Sequence, residues 1–351
     1  MLKKRFLKYF PVSQNLSVDE AMIPYFGRHG AKQFLRLKPV RFGYKIWCVC
    51  TPNGYLVKFE PYQGAGAGEA GTLGVGGSVV LRLVDDLPKH SFSIYTDNFF
   101  TSIPLINNLA GKGMALTGTV RANRTQKCPI TSPQDLKRQP RGSMDYRKNS
   151  SSVLLVSWND NNVVNVASNV YGINPVTYTE RYSAAQKKRV GIPQPKAIQQ
   201  YNKFMGGVDR MDQNVGLYRI GMRTKKWWWP LFSGFLDMAT QNAWQIYRLT
   251  DASRNRKLDH LAFRSEIVKT YFLRFTTDRS ARSLSSRIRV SQNVDIRIAT
   301  SVRYDALNHV QGAMDTQKRC ILCKKSCRNL CTKCQVPLHN KCSVDFHRKP
   351  I

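Results

Sequence analysis

Two aspartates three residues apart, Asp209 and Asp212, precede a basic and aromatic run containing Arg223, Lys225, Lys226 and Trp227-Trp228-Trp229. That spacing places both carboxylates on one face of a helix. Like charges held so close repel and raise each other's pKa, so the pair persists most easily around a cation. The Lys, Arg and Trp side chains beyond it suit a phosphate backbone and stacked bases. One reading is a metal-dependent site acting on nucleic acid. The other is a polar helix start in which Asp209 caps the N-terminal dipole. The tryptophans are equally suited to a core ahead of a buried helix. Arg121, which opens a second basic stretch with Arg124 and Lys127, is a further candidate DNA contact.

The C-terminal end carries a different chemistry. Cys320-x-x-Cys323, Cys331-x-x-Cys334 and His339-x-x-Cys342 are followed by His347. Paired cysteines at this spacing bind Zn²⁺ through thiolates. Three pairs exceed one tetrahedral site, so one or two structural zinc ions are expected. An interleaved arrangement puts Cys320, Cys323, His339 and Cys342 on one ion. Cys331, Cys334 and His347 take the second, with Cys327 as a possible fourth ligand.

The chain has 351 residues, 55 Lys and Arg against 22 Asp and Glu, and a formal net charge of +33. Nucleic acid is the partner best able to use such an excess. An anionic membrane surface is the runner-up, but no apolar run approaches membrane-spanning length and no membrane partner is expected. The basic start, Met1 to Phe6, lacks the apolar stretch of a secretory signal. Six of the nine cysteines lie between Cys320 and Cys342, which argues for metal in a reducing compartment rather than disulfides.

These residues need elements to position them. Leu16 to Phe26 reads as a first strand with Asp19 inside it, Val40 to Cys50 as a second, and Tyr55 to Glu60 as a third, returned by the hairpin signal Asn53-Gly54. Gly64 to Gly77 reads as a flexible loop and Val79 to Asp86 as a helix. Ser93 to Thr101 is a fourth strand ending at Asp97, Pro104 to Leu109 a helix, and Ala115 to Val120 a fifth strand. This order is that of an α/β, ribonuclease-H-like core, in which an aspartate of the first strand and one ending the fourth lie side by side. The core then spans 1–121, a β-rich insertion 122–196, and the returning core and its helices 197–275. A basic linker at 276–318 and a cysteine-rich zinc domain at 319–351 complete the division. Helical character returns over Lys196 to Gln213, and a helix is expected over Leu231 to Leu249 with Phe232, Phe235, Leu236, Ala239, Ala243 and Ile246 on its apolar face.

Phosphodiester cleavage needs an activated oxygen nucleophile, an in-line leaving oxygen and charge neutralisation. Two divalent ions about 3.5–4 Å apart supply these, and Mg²⁺ prefers carboxylate oxygens. In that scheme Asp19 binds both ions, Asp97 and Asp209 one each, and Asp212 assists. Asp97-Asn98 could equally be a turn. Glu20 faces the other side of a regular strand and is left out of the metal site.

With these residues in place, the sequence resembles the piggyBac transposase family, and within it the piggyBac-derived proteins of animal genomes. The matching segments are Asn15 to Met22, Arg41 to Trp47, Thr96 to Ser102, Gly118 to Arg121, Gly206 to Gln213 and the Cys/His tail. The resemblance covers nearly the whole chain. It implies a DDD core with Asp19, Asp97 and Asp209 as catalytic triad and Asp212 as an additional carboxylate, split by a β-rich insertion and followed by a cysteine-rich cross-brace domain that recognises transposon-end DNA. It implies excision through hairpins and joining at TTAA targets, a homodimer and a nuclear location. The family carries a substantial region before its first aspartate, part of it for dimerisation and DNA binding, whereas 18 residues precede Asp19 here. A domesticated, sequence-specific DNA-binding protein without catalysis is the alternative.

Overall fold

Alternation along Asn15–Pro24 makes a strand, β1, that serves two cores at once. Leu16 and Val18 join one, Ala21 and Ile23 the other, as a side-chain period of two requires. The computed structural model of the chain describes every residue except 37, 65–71, 89, 185, 223, 225, 277–297, 299 and 349–351. It divides into two units, Met1–Thr276 and Thr277–Ile351.

In the first unit a short helix, α1 (Leu2–Lys8), precedes β1. Strands β2 (Lys32–Phe34), β3 (Phe42–Cys50) and β4 (Leu56–Pro61) follow, with β3 antiparallel to β1, β2 and β4. The turn between β3 and β4 contains Gly54 at φ +89°, a left-handed conformation that favours glycine. Helix α2 (Gly74–Val84) leads to β5 (Ser93–Thr96), and α3 (Ile103–Gly111) leads to β6 (Ala115–Thr119). β1, β5 and β6 pair in parallel. The order β4-β3-β1-β5-β6 is the ribonuclease-H-like core. Two details differ from the sequence expectation. β2 has three residues, too few to show alternation. Helix α2 begins at Gly74, inside the stretch expected to be loop. Its glycines permit close approach: a Cβ on Gly76 would lie 2.5 Å from the carbonyl oxygen of Phe99, just after β5.

The region 122–196 is β-rich, and its strands lengthen the central sheet. After α4 (Pro133–Arg138) come β7 (Met144–Lys148), β8 (Leu154–Asn159), β9 (Val163–Ser168), β10 (Thr177–Ser183) and β11 (Lys188–Gln194). β9 pairs with β6, so β9-β8-β7 extend the sheet to nine strands, while β10 and β11 form a separate hairpin.

The helical stretch over 196–213 is made of two helices, α5 (Lys196–Phe204) and α6 (Gly207–Leu217), broken at Met205-Gly206. A Cβ on Gly207 would lie 2.4 Å from the Thr51 carbonyl oxygen and 2.5 Å from Ser17 Oγ, so only glycine lets α6 start this close to the sheet. Helix α7 (Trp229–Tyr247) follows, with Pro230 in its first turn. Its packing corrects the apolar face read from sequence. Phe232, Leu236 and Ala243 are exposed, whereas Asp237, Gln241, Asn242 and Gln245 are buried with Met238. Asp237, Gln241 and Asn242 are held there by hydrogen bonds and an ion pair. Asn242 accepts from Leu56 N and donates to Leu56 O, both at 2.8 Å, and Gln241 donates to Gly54 O at 2.9 Å. Helices α8 (Asp251–Asn255) and α9 (His260–Thr276) complete the unit, with Arg264 of α9 paired to Asp237 at 2.6 Å. Among the described residues no helix is long and apolar enough to cross a membrane.

In the second unit, α10 (Thr300–Arg303) precedes a three-stranded antiparallel sheet of β12 (Gln311–Arg319), β13 (Ser326–Cys331) and β14 (Val336–Pro337), and α11 (Asn340–His347) follows. About half of the linker expected at 276–318 lies outside the described residues, but β12 within it pairs with β13. The cysteine-rich unit therefore begins before residue 319.

Gly207 and Gly216 on α6 give opposite expectations. Gly207→Ala should lower the unfolding free energy by about 1–3 kcal/mol through overpacking. Gly216→Ala, with nothing within 4 Å of its Cβ, should raise it by about 0.5–1 kcal/mol. Urea unfolding of the two variants checks the contrast.

Candidate active site and metal centres

The parallel pairing of β1 with β5 ends at Val18 and Thr96. Asp19 and Asp97 are the next residues on each side. Asp19 is 8% exposed and points to the face covered by α6. Asp209, in the first turn of α6, is brought over β1 by the close seat of Gly207, and its side chain remains 72% exposed. Asp212, one turn on, pairs with Arg219 at 3.5 Å, and Arg219 also donates to Met22 O at 3.3 Å.

Lys38 draws this cluster together, and sequence reasoning missed it. Its Nζ lies 3.5 Å from Asp19 Oδ2, 3.7 Å from Asp209 Oδ1 and 3.7 Å from Glu20 Oε1, and donates to Glu20 O at 3.2 Å. Glu20 does belong to the opposite face by alternation. Because β5 has ended, the edge of β1 is open here and one lysine reaches carboxylates from both faces. Glu20 therefore stands at the site from which strand geometry excluded it. No local pattern marks Lys38, which lies in the irregular segment between β2 and β3.

The electrostatics follow from this crowding. Burial pushes the Asp19 carboxyl up to about 8; Glu20 and Asp97 add to the rise, while Lys38 and the Glu20 amide oppose it. Asp97 is raised by burial and by Glu20, against the amides of Phe99 and Phe100. Asp212 is raised by burial and by Asp209, with Arg219 and Lys38 opposing. Burial pulls the Lys38 ammonium down, but Asp19, Glu20 and Asp209 outweigh it and the net shift is upward. A set of all-oxygen donors under mutual repulsion is the chemistry that hard divalent cations relieve.

Asp97 is both a turn residue and a site residue. Its Oδ1 accepts from Phe99 N at 2.8 Å, and its carbonyl accepts from Thr101 Oγ1 at 2.7 Å. The turn thus fixes the carboxylate. Arg121, exposed at the end of β6, donates to Asn98 Oδ1 at 3.2 Å, which places a cation beside that turn.

Of the basic and aromatic run, Arg223 and Lys225 lie outside the described residues. Lys226 is exposed. Trp227 is 48% exposed and stacks on His29 with ring centres 4.6 Å apart, while its carbonyl accepts from Tyr44 Oη at 3.2 Å. It is anchored by one face and still open to solvent. A cavity of about 850 Å³ nearby is lined by Tyr25, Phe26, Arg28, Arg219 and Trp229, among others.

In the second unit the Cys and His residues form two sets whose ligating atoms lie within 4.8 Å of one another: Cys320, Cys323, His339 and Cys342, and His309, Cys331, Cys334 and His347. The donor types fit tetrahedral zinc. The fourth member of the second set is His309, not Cys327. Cys327 lies on β13 and donates to Asn329 O at 3.6 Å. His309 precedes β12 by two residues and is brought back by the sheet, a closure that spacing within the tail cannot reveal. The three histidines are oriented for metal. His309 Nε2 faces Asp305 Oδ1 at 3.0 Å, His339 Nε2 faces Ser326 O at 3.0 Å, and His347 Nδ1 faces Ser343 O at 2.8 Å. Each ring's other nitrogen faces cysteine sulfur at 3.3–3.5 Å. Cys320 is brought down to about 6, because the amides of Cys323, His339 and Leu322 outweigh its burial.

A family model described as transposase IS4 matches residues 1–244. The chain belongs to the transposases of piggyBac type. It is 40% identical over 350 residues to human (Homo sapiens) PiggyBac transposable element-derived protein 3, covering 99% of this chain and 57% of that protein. It is likewise 40% identical over 347 residues to human PiggyBac transposable element-derived protein 2, covering 97% and 57%. The chain thus spans a little over half the length of these relatives. Its fold matches the cryo-EM structure of a piggyBac transposase synaptic complex with hairpin DNA, at a TM-score of 0.67 and 21% identity, over 97% of this chain and 72% of that one.

The two Cys/His sets lead to a direct measurement. Protein purified in zinc-containing medium should carry two zinc ions per chain, one for each set. His309→Ala should reduce the count to one, and Cys327→Ala should leave it at two, read by elemental analysis.

Proposed function

We propose that this chain cleaves and rejoins DNA strands, as a transposase acting at transposon ends and at TTAA targets, with two Mg²⁺ ions held by Asp19, Asp97 and Asp209. The observation that carries this reading is the meeting of Asp19 and Asp209 on one cation, Lys38, beside Asp97 at the open end of β5. When bound, divalent ions supply a nucleophilic oxygen at neutral pH and neutralise the charge on the attacking and leaving oxygens. The protein's own part is positional. Asp19 sits where both flanking carboxylates can share its ligands. Asp97 is aimed by the Phe99 amide, and Asp209, being exposed, can meet a substrate from the solvent side. Asp212, anchored by Arg219, steadies α6. Arg121, Lys226 and Trp227, with Arg223 and Lys225, present cationic and stacking groups to the DNA backbone and bases. The zinc unit reads end DNA, the active species is a homodimer, and the site of action is the nucleus.

Support comes from the family membership and from a solved relative that holds hairpin DNA. A second reading has its own support: the relatives at 40% identity are named as transposable element-derived proteins. In that case the chain binds DNA through the zinc unit and cleaves nothing.

Nicking of the element's own terminal DNA with Mg²⁺ separates the two. Asp19→Asn, Asp97→Asn and Asp209→Asn should each lose at least about a hundredfold in nicking, because each removes a ligand of the two-ion site, while gel-shift binding persists. Zinc-dependent binding by the parent with no Mg²⁺-dependent nicking would establish the second reading.

A further inference from the structure

Lys38 is more deeply committed to the carboxylates than a surface ion pair requires. Its ammonium lies within 3.7 Å of three of them, Asp19, Glu20 and Asp209, and is tethered to the Glu20 carbonyl at 3.2 Å. Of the neighbouring cations, Arg219 is occupied by Asp212 and Met22 O, and Lys45, which Glu20 also influences, lies over the Trp47 and Tyr62 rings. Lys38 is therefore the counter-charge of the part of the site where Asp19 and Asp209 face each other.

A divalent ion drawn to these oxygens would meet the ammonium, which already lies within 3.7 Å of each of them. Two cations in contact in a half-buried site repel by several kcal/mol even at an effective dielectric constant of about 20. They cannot share it. The lysine can leave: its side chain is 23% exposed, on a flexible four-carbon stem, at the edge of β1 that β5 no longer covers.

We propose that Lys38 is the resident counter-cation of the carboxylate site, holding Asp19, Glu20 and Asp209 together in the metal-free protein and yielding its place when a divalent cation enters. The inference rests on the reading of these carboxylates as a metal site. It makes Lys38 a positioning residue with two opposed effects. It stabilises the metal-free fold, and it weakens the affinity for metal by competing for the same oxygens. A lysine that merely decorated the surface would do neither.

The test is Mn²⁺ binding to the full chain with zinc retained, followed by the electron paramagnetic resonance of free Mn²⁺, for the parent, Lys38→Met, Lys38→Gln and Asp19→Asn. Both neutral Lys38 variants should bind Mn²⁺ about tenfold tighter or more, given the size of the repulsion removed. They should also melt below the parent without added Mn²⁺, a gap that closes at saturating Mn²⁺. Asp19→Asn should bind more weakly than the parent. The glutamine variant keeps a polar group at the site and carries the test where methionine disturbs folding. If the neutral variants bind no tighter than the parent while Asp19→Asn binds more weakly, the role given to Lys38 is wrong and the metal-site reading stands. If all four proteins bind alike, the carboxylates are not the metal site and both inferences fall.

Discussion

A carboxylate buried at the centre of a β-sheet is the constraint on which this structure turns. Asp19 is 8% exposed, has Glu20 and Asp97 for neighbours, and shares Lys38 with Asp209. An uncompensated charge in such a place is costly, and the group becomes neutral or acquires partners. Here Lys38 and the Glu20 amide act as partners, and the carboxyl still stays near 8. A net charge of +33 over the whole chain does nothing to relieve this local excess of acid. The basic surface suits a polyanion, while the acidic centre suits a compact cation.

The surrounding elements are arranged to keep the cluster assembled. β1 outruns β5, which exposes its edge at Asp19 and Glu20. Glycines at 207 and 76 remove the Cβ atoms that would hold α6 away from the sheet and α2 away from the turn bearing Asp97. Buried polar residues of α7 bind the backbone of β4 and of the turn before it, which fixes the sheet on the side of α6. Apolar packing supplies the bulk of the stability on both faces, but hydrogen bonds and missing side chains set the positions.

The second unit solves a related problem at smaller scale. Its core cluster consists largely of cysteines, with Val336, Leu338 and Phe346 among them. A core of that size contributes little by apolar burial, and metal bonds are the usual substitute. The histidines are already turned by Asp305, Ser326 and Ser343. Both units thus carry clusters suited to a cation, with hard oxygen donors in one and soft sulfur donors in the other.

Much of this was legible in the chain itself. Strand-forming residues marked β1, β3 and β4, Asn53-Gly54 marked a turn, and CxxC spacing marked the thiol sets, because each depends on residues near one another in sequence. The placement of Asp19 in the first strand and Asp97 at the end of the fourth followed from element order, and the resemblance to piggyBac transposases rested on the same segments. What only the tertiary structure decided concerns partners far apart along the chain. Lys38 joins Asp19 and Asp209 from an irregular segment, His309 replaces Cys327 by way of a strand pairing, and α7 buries its polar face because the backbone of β4 offers it hydrogen bonds. The opening pair shows the division most clearly. The spacing of Asp209 and Asp212 set their common helical face, but the seat of Gly207 on Thr51 decided that this face would meet Asp19, since a close backbone contact depends on the shape of both surfaces and leaves no periodic trace in either.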